Sequence, residues 1–233
     1  MPVVTTRSDV RLLATMTWPE VEIAASEALT LLVPLGSTEQ HGPHLPFDTD
    51  SRIASAVAVG AAIGRSALVV APTLPFGASG EHAAFGGTLS IGTEALQQVL
   101  IELVRSTGIA FSRTVFVNGH GGNHAGMSAA IAQLQTEGHD VSAWFPRVPG
   151  GDAHAGRTET SLMLAIDATA VRLAAAEPGT TEPLATLMPL LLASGVQAAS
   201  PNGVLGDPTT ASADVGHKLL AHLIADLRNR LDA

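Results

Sequence analysis

Four polar segments of the sequence carry residue types that bind metal ions or transfer protons. Their carboxylate and imidazole groups form a donor set of nitrogen and oxygen alone, since the chain has no cysteine to supply a thiolate. Donors of this kind suit Zn²⁺, Mn²⁺ or Fe²⁺. The predicted metal ligands are Glu39, His41, Asp50, His120 and Glu159.

This donor set is too large for one catalytic zinc ion. Three carboxylates and two imidazoles exceed the needs of a single tetrahedral site, and they fit two neighbouring divalent cations bridged by one carboxylate and a water. Such a pair generates hydroxide near neutral pH and polarises the bond under attack. The chemistry indicated is hydrolysis of an amide-like bond. Hydride transfer has no support in the sequence, and the G-x-S-x-G turn of a serine hydrolase is missing.

Each candidate also has an ordinary structural explanation when it is taken singly. Glu39 and His41 would face the same side of an extended segment, but an exposed polar loop is the alternative. A lone aspartate such as Asp50, just before a helical stretch, is more often an N-cap. Glu159 fits the first turn of a helix, and a lone His154 is more often a satisfied polar residue than a catalyst. The prediction therefore depends on these residues acting together.

Two glycine-rich segments complete the candidate site. The segment 118–123 (NGHGGN) joins a predicted strand to a helix and could cradle a phosphate on backbone N–H groups. It lacks the lysine of a P-loop and the GxGxxG spacing of a dinucleotide-binding fold. Its glycines are therefore interpreted as allowing the backbone to approach a bound group closely, with His120 projecting toward that group. The segment 77–88 is predicted to shape a substrate pocket, although a surface loop is the favoured explanation of Ser79 and Glu81 taken singly. The predicted substrate-binding residues are Ser79, His82 and Gly121.

The elements that must position these residues alternate between short buried strands and longer helices. This alternation predicts a three-layer α/β fold, with a mainly parallel central sheet flanked by helices, in a single domain over residues 1–233. Ligands bind at the carboxyl edge of such sheets, so residues distant in sequence converge there. The predicted strands are Leu29–Leu35, Ala67–Ala71, Thr114–Val117 and Asp140–Phe145. The predicted helices are Ser51–Arg65, Thr93–Ile109, Asn123–Glu137, Ser161–Ala176, Leu184–Ala193 and Thr209–Leu231, with a loop over Ala199–Pro208.

Composition excludes several other classes of protein. The net charge of −9 argues against binding to nucleic acid, and aromatic residues at 3% leave few platforms for base stacking. No apolar run reaches the length of a membrane span, and Met1–Val10 has no stretch of signal-peptide length. We therefore expect a soluble, cytoplasmic protein with no membrane or nucleic-acid partner.

Several segments taken together resemble the creatininase (creatinine amidohydrolase) family. They are GSTEQHGPHLPFDTD (36–50), GEHAAFGGTLSIG (80–92), NGHGGN (118–123) and DAHAGRTETS (152–161). The resemblance implies a binuclear metal centre and a homo-oligomer, often a hexamer. It assigns Glu39 to one metal and His41 to the other, with Asp50 bridging them and His120 joining the first.

One ligand position departs from the pattern of creatininase itself. That enzyme has a glutamate two positions after the histidine that matches His120, whereas this chain has Gly122. The fifth ligand is therefore assigned to Glu159. Aromatic residues that surround the substrate of creatininase are replaced by Gly121 and Gly150, which implies a more open pocket, suited to the end of a peptide chain. Creatinine is accordingly a disfavoured substrate.

Within the family, the tail SPNGVLGDPT (200–209) and the pair GASGEH (77–82) and GDAHAGRTETS (151–161) favour members that cleave a modified precursor peptide near its C-terminus. The resemblance implies release of a cross-linked Val–Tyr-derived product that becomes a redox cofactor. The predicted catalytic residues are Glu159 and His154. As a hypothesis, His154 donates a proton to the leaving amine, because it is the one imidazole of these motifs that is not needed as a ligand. Two alternatives are open. One is another amidohydrolase of the family, acting on creatinine or a formamide-type small molecule. The other is a non-catalytic phosphate-binding protein.

Overall fold

The strands that the structure describes form one parallel sheet. The computed structural model describes residues 10–108 and 110–233. Its strands are β1 (Arg11–Leu12), β2 (Thr30–Leu35), β3 (Leu68–Val70), β4 (Arg113–Asn118) and β5 (Val141–Trp144). They pair in the order β1–β3–β2–β4–β5, and every neighbouring pair is parallel.

Helices cover both faces of this sheet. They are α1 (Trp18–Ala24), α2 (Thr49–Ala62), α3 (Thr93–Ser106), α4 (His124–Thr136), α5 (Arg157–Asp167), α6 (Leu184–Ala199) and α7 (Ala213–Leu231). Successive side chains of a strand point to opposite faces of the sheet. Leu32 of β2 accordingly packs with α2, α5 and α7, whereas Leu31 and Val33 pack with α1, α3 and α4. The predicted three-layer α/β fold with a parallel sheet is confirmed.

The elements that carry a strong local pattern lie close to their predicted positions. The ends of β2 to β5 differ from the prediction by no more than one residue, and the ends of α2 and α4 by no more than three. α3 begins at Thr93, as predicted, and ends at Ser106. Ile109, the last residue of that predicted helix, lies outside the described residues, as do residues 1–9 of the segment Met1–Val10.

The predicted helix over Ser161–Ala176 is wrong at both ends. α5 begins at Arg157, because the carboxylate of Asp152 accepts hydrogen bonds from the backbone N–H groups of Arg157 and Thr158. It ends at Asp167, which leaves the helical conformation and accepts from the N–H of Thr169. An aspartate at each end of α5 therefore binds backbone N–H groups and so sets the limit of the helix. The apolar pattern of the sequence does not reveal these contacts.

Three further differences concern the ends of the chain and the helix with the internal proline. α7 begins at Ala213, not Thr209, because the Ser212 hydroxyl caps it and residues 208–210 form a 3₁₀ turn. α6 continues past the predicted end at Ala193, although Gly195 breaks its helical conformation with φ 74° and ψ −178°. β1 and α1 were not predicted, and the capping box of Thr17 and Glu20 is the signal that marks α1.

Within the described residues, no helix combines the length and the apolar character that crossing a membrane requires.

Candidate metal centre

The predicted ligands lie at the carboxyl edge of the sheet. β2 leads into the loop that carries Glu39 and His41, β4 leads to His120, and β5 leads into the loop that carries His154. Because β2, β4 and β5 are adjacent and parallel, their carboxyl ends meet at one edge. The topology therefore brings together residues that are more than a hundred positions apart in the sequence.

The remaining two carboxylates lie in the first turns of helices. Asp50 belongs to α2 and Glu159 to α5. The N-cap interpretation of Asp50 is wrong, since Asp48 is the N-cap of α2 and the Asp50 carboxylate accepts from the Ser37 hydroxyl at 2.7 Å. A Cβ atom at Gly119 would stand 2.5 Å from the Asp50 carbonyl oxygen. The glycine after β4 therefore lets the start of α2 approach the strand ends.

One group of donors consists of Glu39, Asp50 and His120. The Nδ1 atom of His120 lies 3.1 Å from Glu39 Oε1 and 3.3 Å from Asp50 Oδ2. One ligand atom from each of the three residues lies within 4.8 Å of the other two, and all three side chains are buried. This spacing suits a cation held between them.

A second group consists of His41, Asp50 and Glu159. The Nε2 atom of His41 lies 3.0 Å from Asp50 Oδ1 and 3.9 Å from Glu159 Oε2, and these donors also lie within 4.8 Å of one another. Asp50 thus turns one oxygen toward each group. The two groups are adjacent and share the Asp50 carboxylate, and a pair of cations there stays a prediction.

Glu39 provides the test of whether cations fit this site. Its side chain is fully buried, and neither carboxylate oxygen makes a hydrogen bond. A buried carboxylate without hydrogen bonds is strongly unfavourable unless a positive charge compensates it. The donor types, their spacing and this unsatisfied carboxylate all fit divalent metal ions.

The pKa shifts of His41 and Glu159 indicate that the site favours positive charge. Burial disfavours the charged imidazolium of His41, but the carboxylates of Asp50, Glu159 and Glu39 raise its pKa to about 10. Burial raises the pKa of Glu159 to about 7, with His41 opposing the shift and Asp50 adding to it. In the absence of metal, protons on the imidazoles therefore balance the clustered carboxylates, and metal ions would displace them.

Outer contacts orient several of the donors. The Nδ1 atom of His41 lies 3.1 Å from the backbone carbonyl of Glu39, so that a hydrogen bond there leaves the lone pair on Nε2. The N–H of Ala155 donates to Glu159 Oε2 at 2.6 Å. Ala155 has a φ of 51°, a left-handed conformation unusual for alanine. The backbone is thus held in an unfavourable conformation that aims this N–H at a predicted ligand.

Gly122, where the sequence departs from the pattern of creatininase, is tightly packed. A Cβ atom at Gly122 would overlap the Ala78 carbonyl and His120 Nε2, and it would lie 2.5 Å from Glu81 Oε1. No side chain fits there, because Glu81 occupies the space, with Oε1 3.3 Å from His120 Nε2. Glu159 reaches the site from α5 instead. Glu81 was predicted to be a surface-loop residue, and its position beside His120 was missed.

The other predicted residues lie around these donors. His154 Nδ1 is 3.8 Å from Glu39 Oε1, and His82 Nε2 is 3.3 Å from the same atom. Ser79 is fully buried and its hydroxyl makes no hydrogen bond. The substrate-binding roles of Ser79, His82 and Gly121 stay predictions. Gln40, between two predicted ligands, was missed, although its place within the EQH motif was a signal.

A cavity of about 580 Å³ opens beside the donors. Gly119, Gly121 and Glu159 form its wall on the side of the metal groups, and Val148, Leu184 and Leu205 contribute apolar surface. The described residues that line it include no aromatic, lysine or arginine side chain. Gly121 and Gly150, which predicted an open pocket, both line this cavity.

Comparison with known proteins identifies the class of protein to which this fold and site belong. The family model described as "Creatininase: Creatinine amidohydrolase" matches residues 14–231. The chain belongs to the creatininase family and is a hydrolase of that family. The predicted resemblance is therefore confirmed.

Particular relatives and solved structures show how similar the chain is to individual members of the family. The chain is 52% identical over 208 residues to the mycofactocin precursor peptide peptidase of Mycolicibacterium smegmatis, covering 86% of this chain and 83% of that protein. It is 30% identical over 241 residues to the creatinine amidohydrolase of Pseudomonas putida, covering 88% and 90%. A crystal structure of creatininase superposes with a TM-score of 0.78 at 26% identity, covering 95% of this chain and 96% of the other. Related creatininase structures include one described as Zn–Zn type and one as an Mn form.

Proposed function

We propose that this chain is a binuclear metal-dependent peptidase that cleaves the modified mycofactocin precursor peptide near its C-terminus and releases a Val–Tyr-derived product. The substrate is supported by relatives of that name at 46 to 52% identity, which cover most of the chain. The observation that carries the metal dependence is the buried Glu39 carboxylate, which has no hydrogen bond and lies between clustered imidazoles.

The two donor groups define which residues would hold the metals. Glu39 and His120 would bind one ion, His41 and Glu159 the other, and Asp50 would bridge them. Bound there, two divalent cations would supply a nucleophile at neutral pH and polarise the scissile carbonyl. The ligand types admit Zn²⁺, Fe²⁺ or Mn²⁺, and the Zn–Zn and Mn forms of creatininase support this range.

His154 is proposed to move the proton that the reaction requires. Its Nε2 atom donates to the Gln40 carbonyl at 2.8 Å, which leaves Nδ1 facing the donor groups, 3.8 Å from Glu39 Oε1. At that atom the imidazole can take up a proton from the attacking water and pass it to the leaving amine. The cavity beside Glu159 and Gly121 would accommodate the peptide.

The test is incubation of metal-loaded protein with the modified precursor peptide, followed by mass spectrometry of the products. We expect cleavage near the C-terminus, loss of cleavage on chelation, and recovery when metal is restored. Glu39→Gln should abolish it, whereas Glu22→Gln, on the exposed face of α1, should not. Release of formate or ring opening of creatinine, with the peptide left intact, would instead establish the small-molecule amidohydrolase. Tight phosphate binding by a metal-free protein would support the non-catalytic alternative.

The homo-oligomer, the hexamer in particular, and the cytoplasmic location are also part of this proposal. Analytical ultracentrifugation of the metal-loaded protein tests the assembly, and a monomer across the micromolar range would refute it.

A further inference from the structure

Gln40 is a buried polar residue whose side chain has no part in the reaction described above. Its side chain is 5% exposed. Oε1 accepts a hydrogen bond from the backbone N–H of Gly42 at 2.8 Å, which fixes the amide orientation, because a backbone N–H can only donate. The other end of the amide is therefore Nε2, and it donates to the Gly203 carbonyl at 3.1 Å.

The second hydrogen of this amide fixes the proton on His82. Gln40 Nε2 lies 2.8 Å from His82 Nδ1. Because the amide nitrogen donates, His82 Nδ1 must accept, and the proton of the neutral ring lies on Nε2. That atom is 3.3 Å from Glu39 Oε1. The amide thus turns an N–H of His82, and not a lone pair, toward the buried carboxylate.

The backbone of the same residue fixes the proton on His154. His154 Nε2 lies 2.8 Å from the Gln40 carbonyl oxygen, which only accepts, so Nε2 carries the hydrogen. The lone pair of the neutral ring is then on Nδ1, on the side of the donor groups. Gln40 Nε2 also lies 3.2 Å from His154 Nε2, but this distance joins two donors and is not a hydrogen bond.

Gly203 holds the amide in place. Gly203 belongs to the segment SPNGVLGDPT and adopts a φ of +80°. A Cβ atom at this position would overlap Gln40 Oε1. Only glycine combines this backbone conformation with room for the amide. The loop that follows α6 is thereby connected to two imidazoles of the site.

From these contacts we infer that Gln40 is a positioning residue that sets the tautomers of two histidines. Its side chain places the proton of His82 on Nε2, and its carbonyl places that of His154 on Nε2, so that the lone pair of His154 lies on Nδ1 beside the donor groups. The catalytic consequence rests on the proposed function. The tautomers themselves are measurable without substrate.

The test is long-range ¹H–¹⁵N correlation NMR of zinc-loaded protein labelled with ¹⁵N-histidine, with signals assigned from His82→Gln and His154→Gln. In the wild type both rings should carry the proton on Nε2. Gln40→Met removes the amide and keeps the carbonyl, so His82 should shift toward the Nδ1–H form while His154 does not change. Gln40→Glu places an acceptor opposite His82 Nδ1 and should drive that ring to carry a proton there.

Kinetics and a matched control complete the experiment. Gln40→Met should turn the His82 N–H away from Glu39, a proposed metal ligand, and so lower kcat about tenfold to a hundredfold, with little change in KM. Gln135→Met removes an exposed amide that donates to the Val141 carbonyl and should change neither spectrum nor rate. If Gln40→Met does not fold, Gly203→Ala displaces the same amide and should give the same shift of His82.

Two results would overturn the inference. One is a wild-type His154 or His82 with the proton on Nδ1, and the other is an unchanged His82 in a folded Gln40→Met protein. Expected tautomers in a protein that leaves the precursor peptide intact would overturn the proposed peptidase and leave the role of Gln40 standing.

Discussion

At the residue scale, the two adjacent glycines of NGHGGN have different surroundings. A Cβ atom at Gly121 would meet no atom within 4 Å, whereas one at Gly122 would overlap the Ala78 carbonyl and the His120 ring. The first glycine leaves open space at the cavity wall, and the second allows His120 and Glu81 to pack against the turn. Single residues therefore shape both the pocket and the surroundings of His120.

This difference gives a paired prediction. Gly122→Ala should lower the free energy of unfolding by about 1–3 kcal/mol, the usual cost of an overpacked site, and should displace His120 enough to reduce bound metal. Gly121→Ala should change neither quantity by a comparable amount. Thermal unfolding and metal analysis of both proteins check this, and equal losses in the two variants would contradict it.

His154 gives a second prediction at this scale. His154→Ala should keep its bound metals and lower kcat by about 10²–10⁴-fold, the usual contribution of a general acid or base. His154 also belongs to a donor group with Glu39 and His41, so metal analysis must accompany the kinetics. A variant with full metal content and undiminished turnover would remove His154 from the proton-transfer role, and loss of metal would make it a ligand.

At the element scale, the start of α5 determines where Glu159 lies. The Asp152 carboxylate accepts hydrogen bonds from the N–H groups of Arg157 and Thr158. Because of this contact the helix begins at Arg157, before Ser161, the start that the sequence predicted. Glu159 therefore lies in the first turn, where Ala155 N–H reaches its carboxylate. A shift of this helix start would remove Glu159 from the donor group.

The two ends of α5 offer a matched pair of variants. Asp152→Ala should cost about 1 kcal/mol of stability, as the loss of an N-terminal cap does, and should weaken metal binding by His41, Asp50 and Glu159. Asp167→Ala removes a bond to Thr169 N–H at the far end, together with bonds to the Thr169 hydroxyl and to Arg52, and should leave metal affinity unchanged. Isothermal titration with Zn²⁺ distinguishes them, and similar affinities in both would show that the cap does not position Glu159.

At the scale of the whole molecule, the parallel sheet gathers buried carboxylates and imidazoles at one edge. Most of the fold is held by two apolar cores, one on each face of the sheet. The polar site opposes this packing unless cations are bound, because its buried charges are balanced only by protons on imidazoles. Metal content and pH should therefore affect the stability of the entire domain.

Removal of metal should lower the melting temperature, and the difference should widen as pH rises. In the metal-free protein the pKa of His41 is raised to about 10. Stability from this group is therefore present below its unfolded pKa and is lost as pH rises toward 10. Metal binding requires a neutral imidazole and so strengthens over the same range. A free metal concentration of 100 Kd contributes about 2.7 kcal/mol.

Calorimetry with and without a chelator at several pH values measures this difference. Glu39→Gln is the control, since it removes one donor and should reduce the effect of chelation. A melting temperature that does not respond to the chelator at alkaline pH would contradict the prediction.

The strands and the donor types were predictable because both are local properties of the chain. β2 and β4 are short apolar runs that end at polar segments, and Glu39, His41 and Asp50 stand together in one segment. The helix start at Arg157 was not predictable from the apolar pattern, because it depends on a side-chain capping contact. Nor could spacing show Glu81 beside His120, since 39 positions of chain and a parallel crossover separate them.

By itself, the sequence determined the order of the elements and the kind of ligand that its polar segments supply. Periodicity and composition act along the chain and need no partner. Only the tertiary structure decided which carboxylate faces which imidazole. It also decided that the Glu81 side chain lies against Gly122, and that Glu159 lies near His41 and Asp50 at the start of α5. Distances between atoms on separate loops depend on how the strands pair and how closely the backbones approach, and both are set by packing across the sheet.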